Sequence, residues 1–335
     1  MSGGSGGVGE KAGEEGVLKL RILGFEATYN TFQVYARSSS LKTAQIFNVK
    51  LIKIYLMRSD WDKLKADTKY PYLEMTMEAK QMRILDIDLD FFLKEMSSYG
   101  YVCEATWNED AVIKFLENKC KLLKDNKIKG EIVNFHHGAF YYWRDLIYNG
   151  QIRTPFEVVH VDAHADLGLG DAGWVPLVGD ILHYPIQDRV YKCEEHLEEG
   201  NYLAFAIACQ WIHKIEYVTH PEWDPNNHDL PYQHFKDFDT NGNNLTVQLK
   251  KYDRGILDDE FGYLEIIKKK VLPLGYEPEV IFKIIPCESY ENSSAFSFIN
   301  LSISPNYAPR TAKETIVPVI KEYIDCEFGS FPEVI

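Results

Sequence analysis

The chain has 335 residues, a formal net charge of −14, 45% hydrophobic residues and 13% aromatics. That length and apolar content support a full core and exclude a disordered or fibrous protein, and no apolar run approaches the roughly 18–20 residues that cross a bilayer. The acidic balance argues against nucleic acid, whose phosphates need clustered Lys and Arg, and is compatible with a cationic substrate. Residues 1–16, MSGGSGGVGEKAGEEG, have neither a basic start nor an apolar centre, so they read as a flexible tail rather than a secretory signal. Residues 17–80 open with β-branched and aromatic runs (VLKLRILGF, TFQVYAR, FNVKLIKIYL) and predict a small β-rich appendage. Residues 81–335 change character: the short apolar runs RILDI, EIVNF, FEVVHV, EYVT, EVIFKII and FSFINLSI alternate with helical stretches. The clearest of these is Glu109 to Lys124, with Asn108 placed to cap it and Val112, Ile113, Leu116 and Cys120 on one face. This alternation predicts an α/β domain on a doubly wound, mostly parallel sheet covered on both faces. Six cysteines without a C-x-x-C spacing read as reduced thiols of a cytoplasmic protein.

Sheets of this kind place their chemistry at the carboxyl ends of the strands, and three predicted strands end in metal-binding residue types. In Val161-Asp162-Ala163-His164-Ala165-Asp166, alternate residues of an extended segment share a face, so Asp162, His164 and Asp166 are expected to project together. Two carboxylates and an imidazole at the end of a buried strand are costly unless a cation binds them. In Ile84-Leu85-Asp86-Ile87-Asp88-Leu89-Asp90-Phe91-Phe92, three aspartates alternate with aliphatics, and their mutual repulsion again calls for a cation. The third strand, Glu131-Ile132-Val133, leads into Asn134-Phe135-His136-His137, which offers one imidazole ligand from either histidine. This set holds too many oxygens for one tetrahedral zinc and suits two hard divalent ions, Mn2+ above all, which together activate water for hydrolysis.

These residues carry a resemblance. Asp162-Ala163-His164-Ala165-Asp166 resembles the D-A-H-x-D signature of the arginase and agmatinase (ureohydrolase) superfamily, and Ile87-Asp88-Leu89-Asp90-Phe91 resembles its S-x-D-x-D signature. NFHHGAFYYW, VDAHADL, the segment from Asn201-Tyr202-Leu203 to Trp211-Ile212, ILDIDLDFF and SISPNYAP together are closest to the peptide arginases, which convert arginine side chains of a precursor peptide to ornithine and urea. The resemblance implies an arginase-like three-layer α/β/α fold with permuted strand order, because the D-x-D strand precedes D-A-H-x-D here. It implies two Mn2+ per chain: Asp162 and Asp88 would bridge, Asp166 and His136 would complete one shell, and His164 and Asp90 the other. Asp86 stands where the signature has serine, so a register using Asp86 with Asp88 stays open. For proton transfer the nearest candidate is His183, and Glu288, after EVIFKIIPC, is the candidate partner for a guanidinium. The implied partner is an arginine-containing peptide, with free arginine or agmatine as the alternative substrate. Three other readings compete. A zinc deacetylase-like amidohydrolase leaves Asp166 unused, a haloacid-dehalogenase-type enzyme gives D-A-H-A-D no task, and in a metal-stabilised peptide-binding protein the same ligands would be structural.

Other segments carry weaker signals. Asp237 to Gly242 begins like a calcium loop but has Gln248 at the twelfth position. Lys268 to Lys270 reads as a solvated helix end, and His220, His228 and His234 have no ligand spacing.

Overall fold

A computed structural model describes residues 17–22, 25–30, 82–98, 100–168, 170–224, 245–257 and 271–326. The chain divides into two compact units, Met1–Gln81 and Met82–Ile335. In the first, β1 (Val17–Ile22) and β2 (Phe25–Asn30) pair antiparallel with Val17 opposite Asn30. The rest of the expected β-rich appendage lies outside the described residues, as do the calcium-like segment at Asp237 to Gly242, His228, His234 and Lys268 to Lys270.

The second unit is an α/β domain on a mostly parallel sheet of eight strands. In chain order these are β3 (Arg83–Asp88), β4 (Ile128–Val133), β5 (Phe156–Asp162), β6 (Ile212–Thr219), β7 (Leu245–Val247), β10 (Val280–Pro286), β11 (Phe298–Ser302) and β12 (Ile324–Cys326). A separate antiparallel pair, β8 (Lys250–Lys251) and β9 (Gly275–Tyr276), lies outside that sheet. The spatial order is β12-β4-β11-β3-β5-β6-β10-β7, with every pairing parallel except β10 with β7. From central β3 the chain first moves to β4 on one side and then to β5 on the other. The switch point where such sheets bind ligands therefore lies at the carboxyl ends of β4, β11, β3 and β5.

Two apolar layers cover the sheet. Ile84 and Val158 face a cluster containing Phe140, Trp143 and Leu146 of α2 (Gly138–Tyr148), Trp174 and Leu177 of α3 (Gly170–Gly179), Val190 of α4 (Ile186–Cys193) and all of α5 (Tyr202–Ala208). On the other face Leu85, Ile87, Val159 and Val161 pack against Val112 of α1 (Glu109–Lys114), Ala312 of α6 (Arg310–Thr315) and Ile320 of α7 (Val317–Lys321). The period of two is the reason the site lies where it does. The second face of β3 and β5 stays aliphatic to the end, whereas the first turns polar at Asp86, Asp88, His160 and Asp162.

The first helix is shorter than its apolar periodicity predicts. Asn108 caps it as expected, accepting from the Ala111 N–H at 2.9 Å. After Lys114 the chain widens into a π-type turn, Phe115–Lys119, in which the Cys120 N–H reaches the Phe115 carbonyl, and Lys121 at φ 60° ends it.

At the opposite, amino ends of the strands, buried Arg83 ties three strands together, with Nε 3.0 Å from Glu157 and NH2 2.8 Å from Glu216. Breaking a buried ion pair is costly, and without Arg83 the two glutamates would have to share Lys214, 3.5 and 2.7 Å from them. Arg83→Ala is therefore expected to lower unfolding free energy by about 3 kcal/mol, read from a urea denaturation midpoint, without changing metal binding at the far end of the sheet.

Candidate metal centre

Two aspartates build the site by the same local device. β3 ends at Asp88, whose Oδ1 accepts from the Asp90 N–H at 3.1 Å, and the chain turns into a 3-10 segment, Leu89–Phe92. β5 ends at Asp162, whose Oδ1 accepts from the His164 N–H at 2.8 Å. In both places a carboxylate oxygen bonds the backbone two residues on, the turn that Asp favours. Asp90, His164 and Asp166 are therefore not extended-strand residues sharing a face by alternation, as the sequence suggested. Turns bring them round, and Asp166 takes the left-handed φ of 49° to do so.

The result is a convergence on His136. Its Nδ1 lies 2.9 Å from Asp88 Oδ2, 2.9 Å from Asp166 Oδ2 and 3.1 Å from Asp162 Oδ2. A second group forms beside it, where His164 Nδ1 is 3.1 Å from Asp90 Oδ2 and 3.8 Å from Asp162 Oδ1. Asp162 thus turns one oxygen to each group. Ser304, in the left-handed region at φ 43°, donates its hydroxyl to Asp88 Oδ2, and backbone strain of this kind concentrates at functional sites. All six expected ligands, Asp88, Asp90, His136, Asp162, His164 and Asp166, line one pocket of about 220 Å³ together with Glu199, Ser304 and Tyr307. Only His164 among the six has a side chain substantially open to solvent, at 26% exposure.

Beneath the pocket floor lies a buried polar row that sequence reasoning touched only in part. Asn300, Asp86 and His160 are register neighbours across β11, β3 and β5. Asp86 lies against His160 Nδ1 at 2.9 Å and His136 Nε2 at 3.1 Å, and accepts from Tyr202 Oη and Asn300 Nδ2. Period-two spacing from Asp88 and Asp162 signals Asp86 and His160. Tyr202, Asn300 and Glu199 come from distant segments and carry no local signal.

His183 and Glu288 are not brought to this site. His183 is exposed in a short 3-10 turn, its Nε2 donating to the Tyr252 carbonyl at 2.8 Å. Glu288 is exposed beyond β10, and its backbone carbonyl accepts from Lys119 Nζ. The histidine pair divides: His136 enters the cluster, while His137 stacks on Phe135 with ring centroids 5.8 Å apart. His220 is a satisfied buried residue, with Nε2 3.0 Å from the Leu93 carbonyl and Nδ1 accepting from the Glu222 N–H.

The electrostatics follow from putting like charges in a dry place. Burial, then the charges of Asp166, Asp90 and Asp88, hold the Asp162 carboxyl well above its ordinary range. Burial and Asp90 likewise raise Asp88. Burial alone would lower His136, but Tyr202, Asp86, Asp88 and Asp166 outweigh it and hold the imidazole well above its usual value. Burial pulls His164 down too, yet Asp90 and Asp162 carry it to about 11. Asp90 Oδ1, His136 Nδ1, Asp162 Oδ2 and Asp166 Oδ2 are buried and have no hydrogen-bond partner among the described residues. Buried polar atoms left unpaired are rare and costly, and four of them in one cluster fit a divalent cation. Ligand atoms of Asp88, His136 and Asp162, and of Asp90, Asp162 and His164, lie within 4.8 Å of one another.

A pH dependence follows. Asp162, Asp88 and His136 hold protons more tightly than usual without a cation, and each ligand must shed its proton to bind one. Mn2+ affinity is therefore expected to fall on acidification, by at least about tenfold between pH 8 and pH 5.5, as measured by calorimetry. Affinity that stays constant over that range would contradict the ligand set.

Fold and cluster together define an α/β protein with a buried carboxylate–imidazole site able to hold a metal ion. No protein-family model matches the chain, and a search of curated proteins finds no match. No helix of the described residues is long and apolar enough to cross a membrane.

Proposed function

We propose that this chain is an arginase-like hydrolase holding two Mn2+, which cleaves the guanidinium group of an arginine side chain within a peptide to give ornithine and urea. The observation that carries this reading is Asp162, which presents one oxygen to the His136 group and the other to the His164 group. One carboxylate shared between two imidazole-bearing groups suits a pair of ions better than a single zinc. Asp88, Asp166 and His136 would hold one ion, and Asp90 and His164 the other. Asp88 belongs with the His136 group, where its Oδ2 lies 2.9 Å from His136 Nδ1. An ion pair held there would supply water activated for attack at neutral pH.

The chain's own residues supply the rest. An acidic lining favours a cationic substrate. Glu199 borders the pocket with Oε1 accepting from Asn306 Nδ2 at 2.7 Å and Oε2 buried without a partner among the described residues. Its position suits the acidic partner that a guanidinium needs better than that of Glu288. The reaction balances as arginine side chain plus water giving a primary amine plus urea.

Metal content and urea release test the reading together. The expected result is two Mn2+ per chain and urea released from an arginine-containing peptide with higher kcat/KM than from free arginine. One zinc per chain with deacetylation would favour the amidohydrolase reading. Equal kcat/KM for free arginine would leave an ordinary arginase. Tight metal without turnover would leave a binding protein.

A further inference from the structure

Asp86 stands among carboxylates, and a group of Asp86, His136 and His160 has ligand-like spacing. Its hydrogen bonds argue against a ligand role. Every potential ligand atom with no partner belongs to other residues, whereas both Asp86 oxygens are engaged by Tyr202, Asn300, His160 and His136, and Asp86 does not line the pocket.

The proton positions follow by elimination. The Trp143 indole can only donate, and its Nε1 is 2.9 Å from Asn300 Oδ1, so the Asn300 amide must turn its NH2 toward Asp86. Tyr202 has one hydroxyl hydrogen, and it goes to Asp86 Oδ2. His136 Nε2 then faces two acceptors, Asp86 Oδ1 at 3.1 Å and the Tyr202 oxygen at 3.0 Å, and must itself carry a hydrogen. In the neutral ring, the form that binds metals, the lone pair is therefore on Nδ1, pointing at the oxygens of Asp88, Asp162 and Asp166.

We propose that Asp86, held by Tyr202 and Asn300, is a positioning residue that fixes the Nε2–H tautomer and ring orientation of His136, and that it takes no metal itself. The proposal rests on the metal reading above, extending it to the layer beneath the ligands. Partners that orient a ligating histidine in this way contribute about 10–100-fold to metal affinity.

Mn2+ titration of the full chain by calorimetry, resolving two binding events, tests it. His136→Ala identifies the event that depends on His136. Asp86→Asn is expected to keep both ions at saturation while weakening that event about 10–100-fold and leaving the other unchanged. Tyr202→Phe, which removes a single hydroxyl, should weaken the same event in the same selective way, and it decides the matter if Asp86→Asn does not fold. Loss of a whole ion in Asp86→Asn would make Asp86 a ligand and overturn the proposal. Equal weakening of both events would show a merely structural role, and no weakening would show none; either overturns it. A parent chain that binds no Mn2+ would instead bring down the metal reading itself.

Discussion

Asp162→Ala is expected to lose at least one of two bound Mn2+ and essentially all hydrolysis. The residue is 1% exposed at the end of central β5, and its oxygens serve both imidazole groups. Residues that only orient a metal ligand contribute about 10–100-fold to affinity, so a carboxylate shared by two ions should contribute more than about 100-fold. A second variant separates metal loss from misfolding. Asp162→Asn keeps an oxygen to accept from the His164 N–H while removing a charge that burial first, and then Asp166, Asp90 and Asp88, oppose. Because the Asp162 carboxyl is raised in the fold, its ionisation costs stability as pH rises above the ordinary carboxylate range, and that cost is absent in acid. The metal-free Asp162→Asn chain should therefore melt at the same temperature as the parent or higher at pH 7, although its metal binding is crippled. A functional site that opposes stability behaves in this way. A metal-free Asp162→Asn chain that melts well below the parent would contradict the charge-repulsion account.

The second large effect is a contrast between neighbours. His136→Ala should weaken Mn2+ binding by more than about 100-fold, on the same comparison with residues that merely orient ligands, while His137→Ala should change it by less than about threefold. The reason is geometric. His136 is 1% exposed with three carboxylate oxygens within 3.1 Å of Nδ1, whereas His137 sits outside the pocket at the start of α2, stacked on Phe135. The reverse order would mean that the chain enters the site one residue later than the structure shows.

How much of this was legible in the sequence depends on the range of the interaction. The apolar runs ending at Asp88 and Asp162 marked two fully buried strands, because burial on both faces removes alternation and leaves a continuous apolar signature, and the run ending at Val133 marked a third strand that is only partly buried. The ligand-type residues followed directly, since a carboxylate ending such a strand needs a reason to be there. Local conformation was less legible. Alternation along an extended chain was the wrong reason for grouping Asp162, His164 and Asp166, because the Asp162 side chain turns the backbone immediately after it. Whether His136 or His137 entered the cluster was open for the same reason: one residue of register decides which way a side chain points. The contacts made by residues supplied from afar were not legible. Tyr202 from α5 and Asn300 from β11 meet Asp86 across 116 and 214 residues of sequence, and nothing near either one announces the contact. His183 and Glu288 followed from proximity in sequence to expected strand ends, and the fold carries both to exposed positions away from the pocket.

Mass spectrometry of an arginine-containing peptide incubated with the Mn2+-loaded chain tests the central claim most directly. The expected result is loss of one CH2N2 unit at arginine, the signature of ornithine, with urea in equal amount and no loss in the Asp162→Ala control. A peptide returned with every arginine intact by a chain that has taken up two Mn2+ would contradict it.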